Sequence, residues 1–335
     1  MQDLAKFRTG KPVSYPDQSI YAEFACDEFG LTFADIDGGT GLVFSVASKT
    51  KHVHFGAGRC CWYPQNAATA ATLASDKYFT NVILERADVT TFGGDYFFLH
   101  ERHRAHRPGG HEFEDALKYF SRLGATAFVK PLTGSRGDFA QAVHDEAALN
   151  SYIREVSRYY DAILMQPLVS GDEYRIFLLD DEVLYAARKH PPALLGDGVR
   201  SIRDLLIEHN SSLTARGLSS ATIGAGREQS LDRVLQEGER WEIPGRMNLS
   251  AGGKMVLAAA PSEAVSTVAR EAARALGLRV AAVDLFTNIS GEGDATAVIE
   301  VNSNPSIRLL EESGRADLIL KIWHHTFSAM GLLGV

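Results

Sequence analysis

The chain has 335 residues, of which 45% are hydrophobic and 23% charged, and its formal net charge is −8. This composition predicts a globular protein with a sizeable core and two or three domains or lobes. The acidic balance disfavours a nucleic-acid partner, because proteins that bind polyanions are usually basic over at least one face. No apolar run approaches the roughly 20 residues that span a bilayer, and the start of the chain lacks the apolar core of a secretory signal. We therefore expect a cytoplasmic protein without a membrane partner.

The three cysteines, Cys26, Cys60 and Cys61, predict neither a disulfide framework nor a zinc site. Two of them are adjacent, and no pair has the C-x-x-C spacing. We therefore expect all three to be reduced.

The first segment of the chain reads as a small α/β lobe. The sequence SIYAEFACDEF predicts a helix that ends at Gly30, and LTFADI and GLVFSV predict short strands after it. We assign residues 1–75 to this N-terminal lobe.

Lys77 stands at the start of a predicted helix that follows an alanine-rich segment. A lysine there is poorly placed, because the helix dipole disfavours cations at the N-terminus. A bound anion would compensate for this, so Lys77 is a candidate anion ligand. The alternative is an exposed lysine whose aliphatic stem packs on the surface.

A second lysine, Lys130, lies in the apolar strand ATAFVKP, which continues directly into LTGSRGDF. A lysine in a buried strand needs a partner. Gly134 and Gly137 give the following turn the freedom to bring its backbone amides onto phosphates. Lys130 is therefore a candidate phosphate ligand, although a strand followed by such residues also fits a plain β-turn.

The segment GDEYRIFLLDDEVLYAARK predicts a hairpin that turns at Asp180 and Asp181. Glu173 and Arg175 alternate with apolar residues and so share one face of the first strand. We expect Arg188, on the return strand, to join them. The pattern leaves open whether that face is buried or solvated.

A second hairpin is predicted between Arg279 and Pro305, where two β-branched runs flank a turn rich in Gly, Asp and Ser. Glu300 and Asn302 are two residues apart on one strand and project to the same face, towards Asp284 on the other strand. Two carboxylates and an amide oxygen suit Mg²⁺, which completes its octahedron with water and substrate phosphates. The alternative is that these polar residues only solvate the strand ends.

Six segments in this order resemble the ATP-grasp superfamily of carboxylate-amine ligases, and within it most of all the ATP-grasp portion of cyanophycin synthetase. They are ASDKYFT, FVKPLTGSRG, GDEYRIFLLDDEV, ARKHPPALLGDGVRSIRDLLIEHN, NLSAGG and AVDLF…VIEVNSNPS, within about residues 54–317. The resemblance implies an α/β (α+β) ATP-grasp fold with two lobes that grip ATP. The smaller, central lobe would span residues 76–168 and the C-terminal lobe, with the metal site, residues 169–335.

The resemblance also implies a nucleotide site. Lys77 and Lys130 would hold the α- and β-phosphates, and the glycine loop, residues 134–137, would fold over the β/γ end. The hinge, residues 166–169, would grip adenine, and Glu173 would bind the ribose. The implied cofactor-binding residues are Lys77, Lys130, Gly134, Ser135, Arg136, Gly137, Gln166, Leu168, Val169 and Glu173.

The same resemblance implies the chemistry. Asp284, Glu300 and Asn302 would hold Mg²⁺, with two ions expected and Mn²⁺ as an alternative, and Arg188 would face the transferred phosphate. Candidate anchors for substrate carboxylates are Arg227, Arg308 and Arg315, because guanidinium groups match carboxylates. Surface ion pairing is the alternative for these three arginines.

The expected activity is ATP-dependent amide-bond formation between a carboxylate and an amine through an acyl phosphate. The expected partners are amino acids or small peptides, and a homodimer is a candidate assembly. A small-molecule kinase and a non-catalytic nucleotide-binding protein are the alternatives.

Two departures from the family pattern bear on this expectation. The glycine loop continues with Asp138 and Phe139, where relatives usually have a basic residue and a third glycine. Ala282 stands where D-alanine:D-alanine ligases carry an arginine, which weakens the analogy with those enzymes.

Overall fold

Four antiparallel sheets organise the part of the chain that the computed structural model describes, which is residues 4–56, 62–134, 137–215, 231–243, 253–293 and 295–334. The strands are β1 (Thr32–Asp35), β2 (Val43–Ala47), β3 (His52–Gly56), β4 (Asp95–Phe98), β5 (Ala127–Pro131), β6 (Gln141–Val143), β7 (Ala162–Gln166), β8 (Asp172–Leu179), β9 (Glu182–His190), β10 (Ala193–Leu195), β11 (Arg240–Glu242), β12 (Lys254–Ala258), β13 (Val280–Thr287) and β14 (Ala297–Asn302). The α-helices are α1 (Ala5–Arg8), α2 (Asp17–Phe29), α3 (Ala68–Ser75), α4 (Lys77–Arg86), α5 (Phe113–Arg122), α6 (Glu146–Val156), α7 (Ile202–Ala215), α8 (Glu263–Leu276), α9 (Arg308–Glu312) and α10 (Ala316–Ala329).

The N-terminal region contains the predicted helix and strands. Helix α2 ends at Gly30, whose φ of +66° is in the left-handed region that favours glycine. Strands β1, β2 and β3 follow as a three-stranded sheet. Helix α10, from the other end of the chain, packs into the same core, where Trp323 contacts Phe44 and Phe55.

The second sheet has the strand order β4-β7-β5-β6 and buries one face against α5 and α6. Alternation along β5 decides which residues face those helices. Val129 points into the core, whereas Lys130 lies on the opposite face, in register with Leu164 of β7. The strand that the sequence predicts around Lys130 therefore presents this lysine away from the helical layer.

The largest sheet has the order β12-β9-β8-β13-β14, and helices α3, α4 and α8 pack with it. Helix α8 begins at Ser262, whose side chain accepts a hydrogen bond from the Val265 N–H, and ends at Gly277, which adopts φ +72°. Strands β13 and β14 form the predicted hairpin. A two-stranded sheet of β10 and β11 packs with α7 in a separate small core.

No helix in the described ranges has both the length and the apolar character required to cross a bilayer. The boundaries at residues 75 and 168 stay a prediction.

Candidate active site

A row of paired residues across the largest sheet forms the centre of the candidate site. Strand β13 places Asp284 between Arg175 of β8 and Glu300 of β14, and Arg175 in turn pairs with Ala187 of β9. Residues that are paired across antiparallel strands project to the same face. The predicted hairpins therefore bring Asp284 and Glu300 together, with Arg175 beside them.

Asp284 is 0% exposed and is bound by two cations. Arg175 donates from Nε to Oδ1 and from Nη2 to Oδ2, both at 2.7 Å, and Lys189 Nζ donates to Oδ2 at 2.8 Å. Burial alone would raise the pKa of Asp284, but the charges of Arg175 and Lys189 outweigh it and hold this pKa well below its usual value. Asp284 is thus ionised in the folded protein.

Glu173 completes this cluster through Lys189, whose Nζ also donates to Glu173 Oε1. Burial raises the pKa of Glu173, and the charge of Lys189 offsets only part of that effect. The predicted ribose-binding carboxylate is therefore engaged in an ion pair. The four side chains form a buried charged cluster, which we define as Glu173, Arg175, Lys189 and Asp284.

The predicted metal ligands can be tested by the hydrogen bonds that they already make. Asp284 Oδ1 accepts one hydrogen bond, and a carboxylate oxygen has two lone-pair directions, so one remains for a metal. Glu300 and Asn302 are half-buried, and Asn302 Nδ2 donates to Glu300 Oε1 at 3.2 Å, which leaves the amide oxygen as a donor atom. Among the described residues, no three His, Cys, Asp or Glu side chains could hold a metal by themselves. The set fits Mg²⁺ only if phosphates and water supply further ligands.

Lys130 faces this site from the four-stranded sheet. Its side chain is buried, with a relative exposure of 5%, and burial lowers the pKa of its ammonium group to about 8. The carboxylate of Glu300 is the largest influence in the opposite direction, so Lys130 lies within electrostatic reach of the acidic end of β14. A buried cation beside carboxylates is suited to bind a polyanion.

Lys77 is the first residue of α4, where Asp76 caps the helix by accepting from the N–H groups of Tyr78 and Phe79. Burial lowers the pKa of Lys77, and the charge of Glu300 raises it in part. Its Nζ donates to the backbone oxygen of Gly134 at 3.0 Å. The structure therefore brings Lys77, Lys130 and the start of the glycine loop to the same side of the site.

The predicted hinge follows β7. The buried Gln166 donates from Nε2 to the backbone oxygen of Gly93 at 2.7 Å, so its side chain holds the loop before β4. Leu168 is 40% exposed and Val169 is half-buried. These positions leave backbone groups of the hinge as candidate adenine contacts.

We expected Arg188 to lie on the same face of the hairpin as Glu173 and Arg175, and this prediction is wrong. A regular two-residue hairpin at Asp180 and Asp181 would pair Arg188 with Glu173, but the register shifts by one residue between Phe177 and Leu178. Arg188 pairs with Tyr174 instead, and its Cζ atom lies 5.7 Å from the centroid of the Tyr174 ring. Its Nη2 donates to Asp172 Oδ1 at 2.6 Å.

The same shift places Lys189 in the site, although the strand pattern of the sequence does not indicate it. The strand pattern places Arg175 on the same face as Glu173 but indicates no role for it. A one-residue slip exchanges the faces of all residues beyond it, so only knowledge of the bulge could have identified Lys189.

The remaining predicted residues lie elsewhere. Arg308 donates to Asp17 and Glu312, and Arg315 pairs with Asp317, so both make surface ion pairs. Ser135, Arg136 and Arg227 lie outside the described residues. The roles of the predicted site residues stay predictions.

The described residues adopt the ATP-grasp fold, which confirms the predicted α/β (α+β) fold class. A bifunctional glutathione synthetase from Pasteurella multocida matches with a TM-score of 0.56 at 16% identity and covers 96% of this chain and 46% of that one. A D-alanine–D-alanine ligase from Bacillus anthracis matches with a TM-score of 0.52 at 14% identity, over 80% of this chain and 72% of that one.

Sequence comparison finds glutathione biosynthesis bifunctional proteins among the relatives of this chain. The chain is 27% identical over 226 residues to the glutathione biosynthesis bifunctional protein of Streptococcus mutans, over 60% of this chain and 30% of that protein. The protein of the same name from Listeria monocytogenes is 23% identical over 262 residues, 72% of this chain and 33% of that protein. The chain thus spans about a third of the length of these relatives. No protein-family profile matches it, and the resemblance to cyanophycin synthetase stays a prediction.

Proposed function

We propose that the protein is an ATP-dependent ligase that joins a carboxylate to an amine and releases ADP and phosphate. One observation carries the proposal: the buried Lys130 lies opposite Glu300 and the charged cluster, within a fold shared with a glutathione synthetase and a D-alanine–D-alanine ligase. The names of both similar structures describe the formation of a peptide or amide product. This similarity favours an amide-forming reaction for this chain over other reactions that use a nucleotide.

The residues of this chain suit the charge that such a reaction concentrates. A carboxylate that attacks the terminal phosphate of ATP gives an acyl phosphate, and an amine then displaces phosphate to form the amide. Lys130 and Lys77 would bind the phosphate oxygens, since the ammonium group of Lys130 is buried and that of Lys77 is held by the backbone oxygen of Gly134. Arg175 and Lys189 hold Asp284 ionised next to Glu300.

Glu300 and Asn302, together with Asp284, would hold Mg²⁺. When bound, the metal would neutralise part of the phosphate charge. Two ions and the alternative of Mn²⁺ are part of the proposal. The phosphate-facing role of Arg188 and the carboxylate-binding role of Arg308 stay predictions, and their surroundings do not favour them, because Arg188 lies on the sheet face opposite to Asp284 and Arg308 makes surface ion pairs.

The proposed substrates are amino acids or a small peptide. This class follows from the names of the relatives, which act in glutathione biosynthesis or join two D-alanines. A homodimeric assembly and a cytoplasmic location stay predictions.

The test is a matrix of amino acids and dipeptides, offered as acid and amine in pairs with ATP and Mg²⁺, in which ADP and phosphate are both measured. A ligase releases both products only when acid and amine are supplied together. Formation of ADP without phosphate from a single co-substrate would identify a kinase and overturn the proposal. A Glu300→Gln variant serves as the matched control, since it removes one predicted metal ligand at nearly constant volume.

A further inference from the structure

A side-chain amide from the N-terminal part of the chain binds the hairpin that carries the proposed metal ligands. Asn66 lies just before α3 and is 6% exposed. Its Oδ1 accepts from the N–H groups of Arg279 and Val280, both at 2.9 Å. Its Nδ2 donates to the backbone oxygen of Val280 at 2.8 Å and to that of Ser303 at 3.0 Å. A carboxamide has two donor hydrogens and two acceptor directions, and these four hydrogen bonds match that capacity.

Asn66 stands at the point where β14 stops pairing with β13. The last pair of this ladder joins Ala282 with Asn302, and two further residues would bring Val280 opposite Asn304. Asn66 takes that place, because it exchanges with Val280 the two hydrogen bonds that an antiparallel neighbour would make. The amide thus continues the ladder where β14 ends.

Nearby residues bind the backbone that follows β14. The Trp62 N–H donates to Asn304 Oδ1 at 3.0 Å. The backbone oxygen of Pro305 accepts from the Tyr63 hydroxyl at 3.3 Å and from Gln18 Nε2 of α2 at 3.2 Å. Both of these donor side chains are buried. The N-terminal part of the chain therefore fixes the path that the backbone takes after β14.

These contacts matter for the site because the hairpin contains a bulge. Its register shifts between Asp284 and Leu285. A slip of β14 by one residue would turn Glu300 and Asn302 to the face opposite to Asp284. The four hydrogen bonds of Asn66 oppose such a slip, because they fix the start of β13 relative to the end of β14.

We infer that Asn66 is a positioning residue for the proposed metal ligands Glu300 and Asn302, which it holds in register with Asp284 by joining the start of β13 to the end of β14. The inference rests on the proposed function, because the metal role of these ligands is part of it. Replacing a residue that orients metal ligands typically weakens metal binding by about 10–100-fold. A role in the metal site therefore predicts an effect that a loss of stability alone does not produce.

The test is Asn66→Asp, which keeps the shape and the accepting oxygen of the side chain. It replaces the group that donates to Val280 and Ser303 with a carboxylate oxygen. Binding of a non-hydrolysable ATP analogue would be measured by calorimetry at a series of free Mg²⁺ concentrations, so that no acid or amine is needed. The Mg²⁺ concentration that gives half of the full gain in affinity should rise about tenfold. The affinity without Mg²⁺ should stay within about twofold of the wild-type value.

Asn66→Ser gives the same test if Asn66→Asp does not fold. Its smaller side chain leaves room for water at the same backbone groups, and the Mg²⁺ requirement should rise by a similar factor.

Ser19→Ala is the control for a loss of stability alone. Ser19 is 0% exposed and donates to the backbone oxygen of Gly41 at 2.6 Å, in the N-terminal region. The variant should lower Tm, because it leaves this oxygen without its donor, and should retain the wild-type Mg²⁺ requirement. A rise in that requirement equal to the rise in Asn66→Asp would overturn the inference.

A second readout needs neither nucleotide nor metal. Hydrogen exchange followed by mass spectrometry should be severalfold faster in the peptides that contain β13 and β14 of Asn66→Asp, and unchanged there in Ser19→Ala. Faster exchange with a wild-type Mg²⁺ requirement would make Asn66 a structural residue only and overturn the inference. If Mg²⁺ does not strengthen binding of the analogue to the wild type, the metal part of the proposed function fails together with the role of Asn66. If it does, and both Asn66 variants behave as the wild type, only the role of Asn66 is lost.

Discussion

Replacing Asp284 with asparagine should destabilise the protein as well as inactivate it. Asp284 is 0% exposed and accepts three hydrogen bonds, two from Arg175 and one from Lys189. Asparagine keeps the size of the side chain but removes the charge, and it turns one acceptor into a donor that faces a cation. Removing one partner of a buried ion pair costs about 3–5 kcal/mol, because an uncompensated charge remains.

Glu300→Gln separates the metal role from stability. Glu300 is half-buried and lies outside the charged cluster, and glutamine retains the oxygen that accepts from Asn302 Nδ2. We expect its free energy of unfolding to change by less than about 1 kcal/mol. ADP formation should nevertheless be lost, because the carboxylate is a predicted metal ligand.

Urea titration, thermal unfolding and ADP formation would be measured for both variants. Asp284→Asn should lower Tm by about 6–10 °C, whereas Glu300→Gln should lower it by at most about 2 °C. Asp172→Asn is the control, because it breaks an exposed ion pair with Arg188 that is worth about 0–1 kcal/mol. Wild-type stability of Asp284→Asn would refute the buried cluster, and unchanged turnover of Glu300→Gln would refute the metal assignment.

Three further predictions concern other residues. Burial lowers the pKa of Lys130 to about 8, whereas this pKa is about 10.4 in the unfolded chain. The charged lysine therefore destabilises the folded state by up to about 3 kcal/mol below pH 8. This destabilisation disappears as the pH rises from about 8 to about 10.4, because the lysine then loses its charge in the folded protein. Lys130→Met should therefore be more stable than the wild type at pH 7. In urea titrations, the difference in the free energy of unfolding between the two proteins should narrow towards pH 10, and a difference that is constant with pH would contradict this reasoning. The variant should also lose ATP binding. Lys189→Met should lower turnover at least about tenfold more than Arg188→Met, and the reverse order would contradict the observed register. Burial raises the pKa of the Cys26 thiol to about 12, so at pH 8 only about one molecule in 10⁴ carries the thiolate. In a variant without the other two cysteines, iodoacetamide should label Cys26 at least about 10³-fold more slowly than it labels the urea-unfolded chain, and rapid labelling would show that the site opens.

Local pattern was sufficient for the elements whose signals are short-range. The helix before Gly30 and the helix between Ser262 and Gly277 both follow from caps that act within one turn. The hairpin that pairs Asp284 with Glu300 follows from alternation and a turn rich in small polar residues. The fold class follows in addition from the resemblance of six segments taken together.

Long-range packing could not be derived in this way. Trp323 of α10 shares a core with Phe44 of β2, although almost 280 residues separate them in the sequence. Nothing in the composition of either segment identifies its partner, because burial of apolar surface is not directional. The charged cluster is likewise assembled from three strands.

The clearest division between sequence and tertiary structure lies in β9. The sequence determined that this strand carries two adjacent cations, Arg188 and Lys189, and that alternation sends them to opposite faces. The register shift between Phe177 and Leu178 decided which of them reaches Asp284. The position of a bulge depends on how the strand packs against neighbouring strands and against the layers that cover the sheet. The hairpin sequence itself does not contain those contacts. For that reason the sequence predicted the kind of chemistry that the site supports, but it did not predict that Lys189 is the second cation bound to Asp284.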